Sequence, residues 1–122
     1  EKEKPIVAGI LLKRLDENWP LQADATVQYA TANAECQMPN AKCNWWQVLS
    51  KDDLAINSSY NTYRFKGLPP SPIANPGLSS IKAVVYSQDS PYWFYLHDSQ
   101  AEVHYARTIE EHNQNVQRYL GK

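Results

Sequence analysis

Residues 92–120 run YWFYLHDSQAEVHYARTIEEHNQNVQRYL, and their reading decides the fold class. Two short runs rich in aromatic and β-branched residues, 92–97 and 102–107, flank Asp98-Ser99-Gln100-Ala101. The pattern predicts an antiparallel hairpin closed by a four-residue loop. That register sets His97 opposite Glu102, Tyr95 opposite His104 and Trp93 opposite Ala106. Side chains alternate along a strand, so Trp93, Tyr95, His97, Glu102 and His104 are expected on one face. Phe94, Leu96, Val103 and Tyr105 are expected on the other, facing a core. A face of Trp, Tyr and His suits a carbohydrate, because aromatic rings pack on the apolar faces of sugars and imidazoles bond their hydroxyls. Thr108 and Glu111 stand three residues apart, as a capping box requires, and open a last helix. Ile109, Val116 and Leu120 predict its inner stripe, and Gly121 its C-terminal cap. His112, in the middle of that stripe, is expected to be a core histidine bonded to a loop carbonyl.

Upstream of the hairpin, residues 57–77 run NSSYNTYRFKGLPPSPIANPG and hold four of the eight prolines. Proline fixes φ and pushes the preceding residue towards extended conformations, so the stretch predicts a stiff irregular loop. Loops held rigid on a scaffold are frequent homes for function. Asn75 is expected to cap a following helix with Pro76 at its first position, and Leu78, Ile81 and Val85 to be that helix's buried stripe.

Further out, Pro5, Val7, Ile10, Leu11 and Leu15 predict an amphipathic helix over residues 5–16, ended by Asn18-Trp19-Pro20. Asp24 is expected to cap a second helix over 24–31. Ser50 and Asp53 predict one helical turn. Residues 31–48 hold both cysteines, the single Met and Trp45-Trp46, and read as an inserted loop. A disulfide between Cys36 and Cys43 is favoured over zinc or free thiols and implies an oxidising compartment. Zinc needs about four ligands, and the histidines at 97, 104 and 112 offer no close-spaced pair. No metal and no cofactor are expected. Helices, a proline-rich loop, a hairpin and a final helix together make an α+β domain.

Composition narrows the function. With 12 basic and 13 acidic residues the formal charge is −1, so no basic field gathers nucleic acid. The longest apolar run, Ile6 to Leu12, is stopped by Lys13 and Arg14, far short of the roughly 20 residues that span a bilayer. The chain opens Glu1-Lys2-Glu3-Lys4 without an initiator Met and is expected to be a processed form or a fragment. No phosphate-binding glycine loop, nucleophile elbow or zinc-protease helix is present. Asp52-Asp53 and Glu110-Glu111 are adjacent pairs whose side chains diverge on a helix, so neither makes a glycosidase dyad.

The order of segments resembles the endolytic murein transglycosylase family, also called YceG-like, in the C-terminal part of its catalytic domain. Lys4-Pro5-Ile6-Val7-Ala8-Gly9-Ile10 through Arg14-Leu15 is similar to the family helix that ends in an Asn-Arg-Leu signature, with Lys13 in place of the Asn. Pro20-Leu21-Gln22-Ala23-Asp24-Ala25-Thr26-Val27 resembles its Leu-Gln-x-Asp-Pro-Thr-Val segment, with Ala25 in place of the Pro. The most specific match is Tyr60-Asn61-Thr62-Tyr63 followed by Gly67-Leu68-Pro69-Pro70-x-Pro72-Ile73-x-Asn75-Pro76-Gly77. His104, Thr108 and His112-Asn113 close the pattern. The resemblance takes in nearly all of the chain except the Cys-containing insertion.

The resemblance implies an enzyme anchored by one N-terminal membrane helix outside this chain, on the extracytoplasmic face of the bacterial cytoplasmic membrane. It implies cleavage of peptidoglycan glycan strands between N-acetylmuramic acid and N-acetylglucosamine, leaving a 1,6-anhydro end. One Glu protonates the glycosidic oxygen, and the sugar's own C6 hydroxyl attacks C1, so no water and no second carboxylate are needed. The family's catalytic Glu lies in an Ala-Ser-x-Val-Glu-Lys-Glu motif upstream of the segment matched by Glu3-Lys4-Pro5. It is therefore expected upstream of Glu1, and the chain alone is expected to be inactive. Asp24, Thr26, Tyr60, Asn61, Thr62, Tyr63, Leu68, Pro69 and His104 are expected to line the glycan cleft. Gly67, Pro70, Pro72, Asn75, Pro76 and Gly77 are expected to shape its loop. Two other readings remain: a glycan-binding module without catalysis, and a docking module for cell-wall synthesis proteins that uses Trp45-Trp46.

Overall fold

In a computed structural model, which describes residues 2–36 and 47–121, Pro5 falls in the first turn of helix α1 (Lys4–Asp16). The described residues continue through α2 (Asp24–Cys36), α3 (Leu78–Val85), strands β1 (Phe94–His97) and β2 (Val103–Ala106), and α4 (Ile109–Asn115). This is an α+β arrangement, as the pattern of segments predicts. The chain divides into two units, Glu1–Arg14 with Pro76–Lys122, and Leu15–Asn75.

In the first unit, α1 buries Ala8, Ile10 and Arg14, and Lys13 and Arg14 occupy its negative C-terminal end. Gly9 lets another segment approach. A Cβ there would stand 2.2 Å from the Gln88 carbonyl oxygen. That segment is fixed in turn by the Gln88 N–H, which donates to the Pro5 carbonyl at 3.0 Å.

The hairpin forms one residue out of the expected register. Phe94 pairs with Ala106, Tyr95 with Tyr105, Leu96 with His104 and His97 with Val103. The turn is one residue shorter than expected: Asp98 joins its strand, and Ala101 takes the left-handed conformation (φ 62°) that closes the shorter loop. The loop proper is Ser99-Gln100-Ala101, closed by the Asp98 N–H donating to the Glu102 carbonyl at 2.9 Å. This is the three-residue turn with a bulge. A shift of one turns a strand over. His104 therefore lies with the buried Phe94, Leu96 and Ala106, while Tyr105 and Val103 join Tyr95 and His97. The expected face of Trp93, Tyr95, His97, Glu102 and His104 does not exist.

α4 starts as predicted, with Thr108 Oγ1 accepting from the Glu111 N–H at 3.2 Å. Glu111 Oε2 accepts from the Arg107 N–H, one residue ahead of the cap, at 2.9 Å. A π-helical turn, Val116–Leu120, continues it, and Gly121 ends it at φ 68°. Its inner residues are His112, Asn115, Val116 and Tyr119, whereas Ile109 and Leu120 are exposed. Rings take the place of the aliphatic stripe. His112 stacks on Phe94, Tyr119 stacks on His104, and Asn115 Nδ2 donates to the Tyr105 carbonyl.

α3 also departs from expectation. It begins at Leu78 behind Gly77, and neither Asn75 nor Pro76 belongs to it. Ala83 is buried, and Leu78, Ile81 and Val85 are exposed.

In the second unit, α2 begins at Asp24 and runs to Cys36. Residues 31–36, expected to open an inserted loop, are its last turns. Val27, Ala30 and Ala32 are buried along it. Ser50 and Asp53 cap a short 3-10 turn, Asp53–Ala55, reciprocally: the Ser50 N–H donates to Asp53 Oδ2, and the Asp53 N–H to Ser50 Oγ. Cys36 is disulfide-bonded. Cys43 and Trp45-Trp46 lie outside the described residues.

Candidate functional site

The proline-rich loop is pinned by two polar side chains. Asn61 is 0% exposed. Its Nδ2 donates to the Leu54 carbonyl at 3.0 Å and the Ile56 carbonyl at 2.9 Å, and its Oδ1 accepts from the Tyr63 N–H at 3.0 Å. Thr62 ties the loop to the start of α2. Its hydroxyl accepts from the Ala23 N–H at 3.0 Å and pairs with the Thr26 hydroxyl at 2.9 Å, while its carbonyl accepts from the Gln22 N–H at 3.3 Å. Buried polar groups must find partners inside the protein, and these do.

Asn61, Thr62 and Thr26 therefore do not present groups to a cleft. Each is buried and committed to the fold. The tetrapeptide turns its two tyrosines the other way. Tyr63 donates its hydroxyl to Asp24 Oδ1 at 2.5 Å. Asp24 stands exposed in the first turn of α2, where its charge suits the helix dipole, and its carboxylate accepts from the Tyr63 hydroxyl. The Tyr60 hydroxyl pairs with Ser71 Oγ at 2.6 Å, and its ring tilts against Tyr29, with centroids 5.0 Å apart. Leu68 is exposed on the same loop and Pro69 is half-buried. Gly67 takes φ 88°, a conformation that an L side chain strains to reach, so this glycine shapes the loop. Gly77 is extended, and Pro70, Pro72, Asn75 and Pro76 are exposed along the run. The loop and the start of α2 thus carry one carboxylate, two tyrosines, a serine hydroxyl and an exposed leucine.

His104 belongs to a separate cluster in the first unit. Its Nε2 meets Asp98 Oδ2 at 2.8 Å, and its ring lies 3.6 Å from that of Tyr119, nearly parallel. Asp98 Oδ1 also accepts from the Gln100 N–H at 2.8 Å and the Glu102 N–H at 3.0 Å. The His104 hydrogen bond, followed by the Glu102 backbone, holds the Asp98 carboxyl below its ordinary range. With Glu102, these residues bring one imidazole and two carboxylates within 4.8 Å of one another. Such a donor set can hold a divalent cation, and sequence spacing alone did not disclose it.

One residue escaped the sequence reading and another was given the wrong partner. Arg14 is buried, donates from Nε to the Trp93 carbonyl at 2.9 Å, and lies over the Phe94 ring. His112, expected to bond a carbonyl, instead has a buried Nδ1 without a partner among the described residues. Burial, and then the Arg14 charge, push its pKa down from the ordinary 6.5. A signal for the pair existed: a basic residue closing an apolar helical stripe, and a histidine inside another.

Known proteins resemble the chain over most of its length. The model of a family described as YceG-like matches residues 1–118. A Bacillus subtilis (strain 168) protein named endolytic murein transglycosylase is 38% identical over 114 residues, which are 93% of this chain and 29% of that protein. One of the same name from Streptococcus pneumoniae serotype 2 is 28% identical over 123 residues, or 98% of this chain and 21% of that protein. A crystal structure of a YceG-like protein from Listeria monocytogenes superposes with a TM-score of 0.72 at 34% identity, covering 90% of this chain and 33% of that one. The chain thus spans less than a third of the length of these curated relatives.

Proposed function

The chain belongs to the YceG-like family, and from that premise we propose that it is the glycan-binding part of a peptidoglycan lytic transglycosylase. The reaction is endolytic cleavage of the bond between N-acetylmuramic acid and N-acetylglucosamine. A general-acid Glu gives its proton to the glycosidic oxygen, the C1–O bond breaks, and the C6 hydroxyl of the same sugar closes on C1 while losing its own proton. The product ends in 1,6-anhydro-N-acetylmuramic acid, and no water is consumed.

The observation that carries the binding role is the division of labour in Tyr60-Asn61-Thr62-Tyr63. Two members lock the loop from inside, and the other two carry their hydroxyls to the surface beside Asp24 and Ser71. Phenol, carboxylate and serine groups bond sugar hydroxyls and N-acetyl groups, and Leu68 and Pro69 offer apolar surface to a pyranose ring. We assign Asp24, Tyr60, Tyr63, Leu68 and Pro69 to glycan contact. The acid itself is assigned to polypeptide outside these 122 residues. The working location is the bacterial cell envelope, with the membrane anchor also outside the chain. No helix among the described residues is long and apolar enough to cross a membrane.

Incubating the chain with purified peptidoglycan tests the assignment. We expect no anhydro-muropeptides above a heat-killed control, together with amide shift changes over residues 60–72 on adding soluble glycan strands. Tyr63→Phe should weaken that binding while leaving the fold intact. Anhydro products from the chain alone would place the acid within it and overturn the assignment.

A further inference from the structure

The register that the hairpin takes brings three metal-ligating side chains to its tip. In the register expected from spacing, Asp98 lies in the loop and His104 stands opposite Tyr95. In the structure Asp98 continues the row of Phe94 and Leu96, and Glu102 and His104 continue the row of Ala106 on the other strand. One Asp98 oxygen, one Glu102 oxygen and one His104 ring nitrogen fall within 4.8 Å of one another. Two of the three donors are already aimed. Asp98 Oδ1 accepts from the Gln100 and Glu102 N–H groups, which turns Oδ2 to His104 Nε2, 2.8 Å away. The His104 ring is stacked on Tyr119, with centroids 3.6 Å apart and planes 12° from parallel. Outer contacts of this kind set the direction in which ligands point. The Asp98 and His104 side chains keep 14% and 20% of their surface, and Glu102 is exposed, so an ion and its waters can reach the donors.

We propose that Asp98, Glu102 and His104 bind one zinc ion at the hairpin tip, with water completing the shell. Two carboxylates brought this close repel one another, and a dication removes that repulsion. All-oxygen sites suit calcium and magnesium, and an imidazole among the donors moves the preference to zinc. Three protein ligands and a water are a recurrent zinc arrangement. Ligands about 2.1 Å from a tetrahedral ion stand roughly 3.4 Å from one another. The ion therefore fits where the Asp98–His104 hydrogen bond now lies, once that pair opens by about half an ångström. The Nε2 lone pair then faces the metal, and the imidazole proton sits on Nδ1. The ion ties the end of β1 to the start of β2 and holds His104 against Tyr119 of the helical turn after α4. That role is structural, and it rests on neither the family nor the glycan reading.

Zinc titrated into the untagged 122-residue chain, first stripped with a chelator, tests this. Calorimetry should count one ion per chain, and resonances should shift at residues 98–104 and at Tyr119. The melting temperature should rise with zinc, and not with equal calcium or magnesium. Glu102→Gln removes a ligand from an exposed position. Without zinc that variant should keep the parent's spectrum and melting temperature, while its zinc affinity falls at least about tenfold. His104→Gln should lose more, with Tyr119 shifted even before zinc is added. No heat and no shift at millimolar zinc overturns the proposal. So does an unchanged zinc affinity in Glu102→Gln, a response centred on His97 or His112, or equal binding of calcium. Failure of glycan to shift residues 60–72 leaves the zinc count unchanged, so the two proposals fail separately.

Discussion

The two loops that carry the candidate residues are held by different physics. The proline-rich loop is fixed by Asn61 and Thr62, neutral groups whose bonds go to backbone amides, carbonyls and another hydroxyl. The hairpin and α4 are fixed by rings and charges: His112 on Phe94, Tyr119 on His104, and His104 against Asp98. The first kind of fixing is directional and indifferent to pH. The second is adjustable, since stacked rings slide and the Asp98 carboxylate loses its charge in acid. Hydroxyls held at set positions are built on the first kind.

The largest way to break this contrast is Asn61→Ala. It strands two buried carbonyls and one amide and should cost about 2–4 kcal/mol, read as a fall in the denaturation midpoint with loss of the 60–72 amide dispersion. An effect within error would mean that the loop is held elsewhere. Gly9→Ala carries a comparable risk in the first unit. Its methyl meets a backbone carbonyl that cannot swing away, and overpacking of this kind costs about 1–3 kcal/mol. Its effect should appear in the hairpin–α4 resonances and spare residues 60–72.

Acid should separate the two regions next. His112 has a lowered pKa when folded, so below about 6.5 the unfolded chain takes up a proton that the folded chain refuses. Stability therefore falls as pH drops from 6.5 towards the folded pKa. Asp98, also lowered, adds a second loss as pH falls through its ordinary 3.8. Urea midpoints measured across pH should show both steps. His112→Phe, which can keep a ring on Phe94, should flatten the upper one, whereas a mutation in the Asn61 network should leave both slopes unchanged. The smallest effect is a gain. Ala101 sits at φ 62°, which costs an L residue about 1–2 kcal/mol; glycine gives back about 0.4–1 kcal/mol of that in unfolded-chain entropy, so Ala101→Gly should stabilise the hairpin by about 1 kcal/mol. A loss there would mean that the turn in solution differs.

That same alanine explains why the hairpin was legible and its register was not. Residue alternation and the Thr108–Glu111 box gave the elements, but the left-handed position that closes a three-residue turn is ordinarily announced by glycine. α3 misled for another reason. Periodicity identifies an apolar row but does not say whether this chain covers it. On α4, the buried row is a histidine, an asparagine, a valine and a tyrosine, which aliphatic counting passes over. At the site, the tetrapeptide from Tyr60 to Tyr63 stood out in the sequence, yet composition cannot tell which polar residues of a motif face inward. Asn61 and Thr62 resembled ligand groups because the chemistry that satisfies a buried backbone is the same chemistry that grips a sugar.

The Thr26–Thr62 bond joins residues 36 apart in sequence. Closing a long loop costs entropy only logarithmically, with each doubling of length adding about 0.6 kcal/mol. Once the two hydroxyls and the neighbouring amides have met, the chain between them is free to lengthen or shorten at little thermodynamic penalty. The cysteine-bearing stretch falls inside that span. Evolution can therefore rewrite it, residue by residue or wholesale, while the tyrosines beyond the clasp keep their places.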